Sequence, residues 1–296
     1  MEAFMPLLNH PDYNSPSDLN NFLQENGMAM QKKFGQNFLI NEQARLKLID
    51  CLEINETSKV WEVGPGLGAM TSEILKRGAE LTVFEIDRGF SQLLHKFFSD
   101  YEEKGKFHIV EGDVLKTWKI EFDKNGGPNR FFGNLPYNIA ATLIADTIEE
   151  NIRFEKNIFT VQKEVAVRAC AKVGTESYSS FSILCQWAYE LKSIIDLSGG
   201  NFWPKPNVAS RAFSMTKRKN FPCCQNPNLF VKMQRALFSS RRKTVKNNLS
   251  AFLCNSDKAD FALKKTGINP MTRAESLSVE ELLLLSDVIN ADIIKK

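Results

Sequence analysis

Apolar positions in the first two thirds of the chain gather into short runs separated by longer amphipathic stretches. "KVWEV" (59–63), "LTVFEID" (81–87), "KFHIVEGD" (106–113), "RFFGN" (130–134) and "KNIFTVQ" (156–162) are rich in β-branched and aromatic residues. Gly, Asn or Asp closes most of them, so they read as buried strands. "GAMTSEILKRG" and "RGFSQLLHKFFSD" follow the first two with helical spacing, and "KEVAVRACA" and "SSFSILCQWAYE" follow the fifth. Strands alternating with helices predict an α/β fold, a Rossmann-like parallel sheet wound on both faces. "KSIIDLS" and "RAFSMTK" flank the loop "GGNFWPKPNVAS". No helix separates them, so they predict an antiparallel, hairpin-like addition.

Upstream of the sheet, "SPSDLNNFLQENG" has Ser and Asp at a helix start and Gly27 at its stop. "QKKFGQNFLIN" is loop-like and "EQARLKLIDCL" is an amphipathic helix. Downstream, beyond the Pro- and Lys-rich hinge "KRKNFPCCQNP", the pattern predicts helices over 228–238, 240–253, about 257–265 and 278–292. The expected organisation is a flexible arm over 1–14, an α/β domain over 15–217 and a smaller helical domain over 218–296. There are no internal repeats.

Composition narrows the function. No apolar run approaches the ~18 residues of a membrane span, and no secretory signal is visible. The six cysteines show no C-x-x-C spacing, which favours a reduced, cytoplasmic setting over disulfides or a metal cluster. With only His10, His95 and His108, neither a Ser-His-Asp machine nor a His-rich metal site is supported, and no metal is expected. The net charge of +3 hides an asymmetry. Residues 211–250 hold ten basic residues and no acid, leaving 28 basic against 35 acidic residues elsewhere. Phe230, Leu237, Phe238 and Leu249 interleave with these charges. The block is a candidate nucleic-acid footprint, with a solvated face as the alternative.

Two stretches carry the chemistry. "GPGLG" (64–68) lies between a strand and a helix. Gly64 and Gly66 let the backbone approach a ligand, and the helix N-terminus offers free N–H groups. Glu85, ending the second strand, suits the two ribose hydroxyls of a nucleotide-like cofactor. Asp113, ending the third, suits an adenine amine. Alone this also fits an NAD dehydrogenase. "NLPY" (134–137) separates the two readings. Asn134 supplies a carbonyl acceptor, Pro136 stiffens a turn with no N–H, and Tyr137 offers a stacking face. Two acceptors and an aromatic suit a planar ring with an exocyclic amine, for which a dehydrogenase has no use.

The ordered motifs "GQNFLIN", "EVGPGLGAMT", "FEID", "EGDVLK", "NLPYNIA", "VQKEVAVR" and "FWPKPNVAS" resemble those of the ribosomal RNA adenine dimethyltransferase family. "LFSSRRKTVKNNL" and "GINPMTRAESLSVEELLLLS" are similar to its C-terminal domain, and the likeness runs from about residue 15 to the end. The resemblance implies S-adenosylmethionine as methyl donor and N6,N6-dimethylation of two adjacent adenines in the 3′-terminal hairpin loop of small-subunit rRNA. It implies cofactor contacts from Asn37, Leu39, Gly64, Gly66, Glu85, Asp113 and Asn134. Asn134, Leu135, Pro136, Tyr137 and Phe202 would hold the target adenine. Arg241, Arg242, Lys243 and Lys246 would meet RNA. A monomer acting on the 30S particle or its precursor is expected. The alternatives are the related large-subunit methyltransferases of macrolide resistance and an rRNA-binding assembly factor whose catalysis is secondary.

Overall fold

The computed structural model describes residues 10–30 and 35–294. Helix α1 (Pro16–Glu25) starts at Ser15, whose side chain accepts from the Asp18 N–H. The two-residue strand β1 (Phe38–Leu39) follows, then α2 (Glu42–Asp50), capped by Asn41. The alternating core comes next: β2 (Lys59–Val63), α3 (Ala69–Lys76), β3 (Glu80–Glu85), α4 (Arg88–Phe97), the short α5 (Ser99–Glu103), β4 (Phe107–Glu111), α6 (Val114–Asn125) and β5 (Arg130–Asn134). Then come α7 (Ala140–Glu149), β6 (Lys156–Gln162), α8 (Lys163–Ala169), α9 (Ser180–Ala188), β7 (Tyr189–Leu197), β8 (Phe202–Trp203) and β9 (Ser210–Lys217). The chain ends in α10 (Pro227–Phe238), α11 (Val245–Leu253), α12 (Ser256–Thr266) and α13 (Val279–Ile289), before a last turn over Asn290–Ile294.

The main sheet has seven strands in the order β4-β3-β2-β5-β6-β9-β7. β2 pairs in parallel with both β3 and β5, with Val63 opposite Phe84 on one side and Gly133 on the other. β9 runs antiparallel to β6, from Gln162 opposite Ser210 to Lys156 opposite Thr216. The strand order reverses between β2 and β5. In open sheets that switch point leaves a crevice beyond the strand carboxyl ends. Here those ends are Gly64 and Asn134.

Alternation along each strand sends side chains to two apolar layers. Val60, Leu81, Val83, Phe107, Ile109, Phe132 and Ile158 join Leu48 and Ile49 of α2 and Ile74 and Leu75 of α3 in one. The other is aromatic. Trp61 meets Phe84 and Phe131 edge-on at 5.0 and 5.9 Å, and Phe131 meets Phe159 at 5.2 Å. Edge-to-face geometry suits the ring quadrupoles.

The chain forms two compact units. The first takes in the residues up to Ala140, Phe154–Lys163 and Lys192–Thr216; the second takes in Ala141–Arg153, Glu164–Leu191 and Lys217 onward. This departs from a single break at residue 217, because α9 belongs with the C-terminal helices. Trp187 of α9 packs at 5.0 Å against both Phe221 and Phe230 of α10. Within the second unit, α11 begins at Val245 rather than near 240. Thr244 caps it by accepting from Asn247 N–H, and Asn248 donates to the carbonyls of Leu237 and Ser240. Arg241, Arg242 and Lys243 therefore sit on a turn and not on a helix.

Of the expected arm over 1–14, the described part is not loose. His10 stacks on Phe97 at 4.2 Å, Pro11 is buried, and Asn14 accepts from Arg45 at 2.7 Å. Residues 10–14 are thus held to the α/β unit, while 1–9 lie outside the described residues.

Candidate active site

The crevice at the switch point is a cleft in the first unit. Its floor is the loop between β2 and α3. Gly64, Gly66 and Gly68 adopt φ of +69°, +56° and +87°, a region that favours glycine. At Gly66 space decides as well, because a Cβ there would lie 2.7 Å from the Phe38 ring. Only glycine permits both the turn and the close approach of β1.

Glu85 ends β3 and ties this loop down. Its carboxylate accepts from Gly66 N–H at 3.3 Å and from Asp87 N–H at 2.8 Å. Burial pushes its carboxyl up to about 7, against those backbone donors, which favour the charged form. Glu62 on β2 is also buried in the cleft wall and accepts from the Thr71 hydroxyl at 2.7 Å. Burial pushes it up to about 8, with Glu85 adding repulsion. Asp113 caps α6, one carboxylate oxygen accepting from Leu115 N–H at 3.0 Å. Ile86, 45% exposed, adds an apolar surface to the same wall.

The segment Gly35–Leu39 forms another wall. Gln36 donates to Asp87 at 3.2 Å, and Leu39 pairs with Phe202 across β1 and β8. The Asn37 carbonyl accepts from Asn134 Nδ2 at 2.8 Å. That bond orients the Asn134 amide, and its oxygen remains an acceptor. Leu135 sends its side chain into the core over Gly133 and donates its N–H to the Thr160 carbonyl. The Pro136 carbonyl accepts from Ile139 and Ala140 at 3.1 and 3.2 Å.

Of the residues singled out from sequence, the cleft brings together Asn37, Leu39, Gly64 and Gly66 with Glu85, Asp113, Asn134 and Pro136. Three others stand back from its lining. Leu135 is buried beneath it. Tyr137 is half-buried, its hydroxyl 2.8 Å from Ser210 Oγ. Phe202 is 4% exposed, in the apolar layer with Leu39, Leu197 and Ala212. Sequence reasoning missed Tyr13, Gln36, Arg45 and Glu62. The last carried a signal, since an acid between Trp61 and Val63 interrupts an apolar run.

In the second unit the four basic candidates differ. Arg241 is committed to Glu275 at 2.9 Å and to the Glu176 carbonyl at 2.6 Å, and Lys246 pairs with Asp260 at 2.8 Å. Arg242 and Lys243 are exposed and have no ion pair among the described residues.

Known proteins resemble this chain along most of its length. A family model described as ribosomal RNA adenine dimethylase matches residues 27–291. A Treponema denticola protein named ribosomal RNA small subunit methyltransferase A is 48% identical over 285 residues, covering 95% of this chain and 97% of its own. A crystal structure of a dimethyladenosine transferase from Plasmodium falciparum aligns with a TM-score of 0.72 at 22% identity, covering 84% of this chain and 96% of its own. The 23S rRNA methyltransferase ErmE aligns with a TM-score of 0.62 at 19% identity, covering 85% and 99%. At those identities the two structures speak for the fold alone.

Proposed function

This chain belongs to the ribosomal RNA adenine dimethylase family, and from that premise we propose that it dimethylates N6 of two adjacent adenines in the 3′-terminal hairpin loop of small-subunit rRNA. The observation that carries the reading is the bond from Asn134 Nδ2 to the Asn37 carbonyl, beside the glycine loop. It leaves Asn134 Oδ1 as a fixed acceptor at a strand end, with no donor to it among the described residues.

S-adenosylmethionine, when bound, supplies a methyl group already activated on a sulfonium. The residues fit it. Glu85 suits its ribose hydroxyls, Asp113 its adenine amine, and the glycine loop allows close backbone approach. Asn134 Oδ1 accepts one N–H of the target amine. The Pro136 carbonyl is taken by Ile139 and Ala140, so the second acceptor falls to another backbone carbonyl of the turn. Two acceptors draw the amine from planarity and free its lone pair. This is positioning rather than proton abstraction. Tyr137, half-buried, holds the base by stacking, which requires it to be unpaired, as in a loop, whereas Phe202 lies buried behind the cleft and supports the wall through Leu39.

The substrate is the small subunit or its precursor, bound by a monomer through the helical unit, and the work is cytoplasmic. Among the described residues no helix is long and apolar enough to cross a membrane. The test is incubation with radiolabelled S-adenosylmethionine and unmodified small or large subunits. Label in small-subunit rRNA alone supports the reading; label in the large subunit overturns it.

A further inference from the structure

Tyr13 precedes the residues matched by the family model, yet it lines the cleft. Its hydroxyl donates to the Leu67 carbonyl over 2.9 Å, across 54 positions of sequence. Leu67 lies between Gly66 and Gly68, both at positive φ, in the loop that floors the cleft. Glycine-rich backbone is permissive, so its shape must be imposed from outside. Glu85 imposes it from one side through the 3.3 Å bond from Gly66 N–H. That same carboxylate is needed by the cofactor. Tyr13 grips the loop from a different segment, through the Leu67 carbonyl.

Tyr13 is itself held. With its hydrogen on Leu67, its oxygen accepts from His10 Nδ1 at 2.7 Å, and the His10 ring stacks on Phe97. Its carbonyl accepts from Arg45 Nη1 at 3.4 Å. The Arg45 side chain is buried and also donates to the Leu39 carbonyl at 2.8 Å and to Asn14 Oδ1 at 2.7 Å. One guanidinium thus joins the N-terminal segment to β1, the opposite wall of the cleft. Burial also raises the Tyr13 phenol, which keeps its proton on the donor at any working pH.

We propose that Tyr13 is a positioning residue of the methyl-donor site, its hydroxyl holding Gly66-Leu67-Gly68 in the cofactor-accepting shape before the cofactor arrives. The N-terminal segment outside the family match is then part of the site and not an appendage. This rests on the cofactor assignment above. Preorganisation of this kind lowers the ordering cost of binding, and it acts on affinity rather than on the chemical step.

The test is Tyr13→Phe in the full chain, which keeps the ring and deletes one hydrogen-bonding group. Calorimetry with S-adenosylmethionine and S-adenosylhomocysteine should show binding weakened about five- to tenfold, the effect of about one net hydrogen bond. KM for the methyl donor should rise by a similar factor, with kcat at saturating donor within about twofold of wild type. Melting of the cofactor-free protein should be little changed. Unchanged affinity, or a loss of kcat with KM constant, would overturn the proposal. Failure of the wild-type protein to bind S-adenosylmethionine would instead refute the cofactor assignment, so the two failures are distinguishable.

Discussion

The side-chain amide of Asn134 donates to the backbone carbonyl of Asn37, 97 residues earlier, over 2.8 Å. One bond therefore joins the end of β5 to the segment leading into β1 and fixes which end of the amide serves as acceptor. Asn134→Ala should leave the fold intact and lower single-turnover methyl transfer on the order of 10²–10³-fold, the usual cost of one preorganised group. Asn134→Asp should be no better, since a carboxylate cannot donate to Asn37. Rapid-quench assays with RNA binding measured in parallel check this. A variant that loses RNA binding instead would remove Asn134 from the chemistry.

Glu85 makes cofactor affinity pH-dependent. Its carboxyl stands at about 7 in the folded protein because of burial, against roughly 4.3 in an unfolded chain. The folded protein holds the proton more tightly, so this stabilisation is full below about pH 4 and lost as pH rises through about 7. Ribose hydroxyls donate to the ionised form. Affinity for S-adenosylmethionine should accordingly climb between about pH 6 and 8, with proton release seen as buffer-dependent enthalpy. Glu85→Gln should flatten the profile and weaken binding by roughly 1.5–3 kcal/mol for each charge-assisted bond removed.

Tyr137 and Phe202 should respond differently to truncation. Tyr137 is half-buried, so Tyr137→Ala should cost roughly 1–3 kcal/mol of base stacking with little loss of stability. Tyr137→Phe, which removes only the hydrogen bond with Ser210, should be milder. Phe202 belongs to a buried layer, so Phe202→Ala should also destabilise the fold by about 3–5 kcal/mol. Thermal melts alongside turnover separate the effects. Equal stability losses would show that Tyr137 is a packing residue.

Phosphate binding should fall on Arg242 and Lys243 more than on their neighbours. Neutralising these two should flatten the salt dependence of rRNA binding by roughly 0.7–0.9 units of slope for each phosphate no longer neutralised. Arg241→Ala, which frees Glu275, and Lys246→Ala, which frees Asp260, should change the slope less. Equal slopes for all four variants would contradict the division.

The sheet was legible because its central strands announce themselves. β2, β5 and β6 occupy the residues that their apolar runs mark. Helices α6 and α7 escaped notice, although α6 buries Trp118 and Glu121. β1 and β8 are two residues each, too short for any period to show, yet their pairing brings Leu39 to Phe202. The stretch 240–244 read as the start of a helix because Arg and Lys favour helices, and the cap at Thr244 won. The glycine loop and the polar strand ends of the site were visible as motifs. Tyr13 was not, since nothing local marks a hydroxyl whose partner is a distant carbonyl.

The most direct test of the account is to map the modified nucleotides. Small subunits lacking the modification would be incubated with the protein and S-adenosylmethionine, their rRNA digested, and the fragments sequenced by mass spectrometry. The account predicts N6,N6-dimethyladenosine at two adjacent positions of the 3′-terminal hairpin loop and nowhere else. Methyl groups on another nucleotide, or at another site of the rRNA, would contradict it.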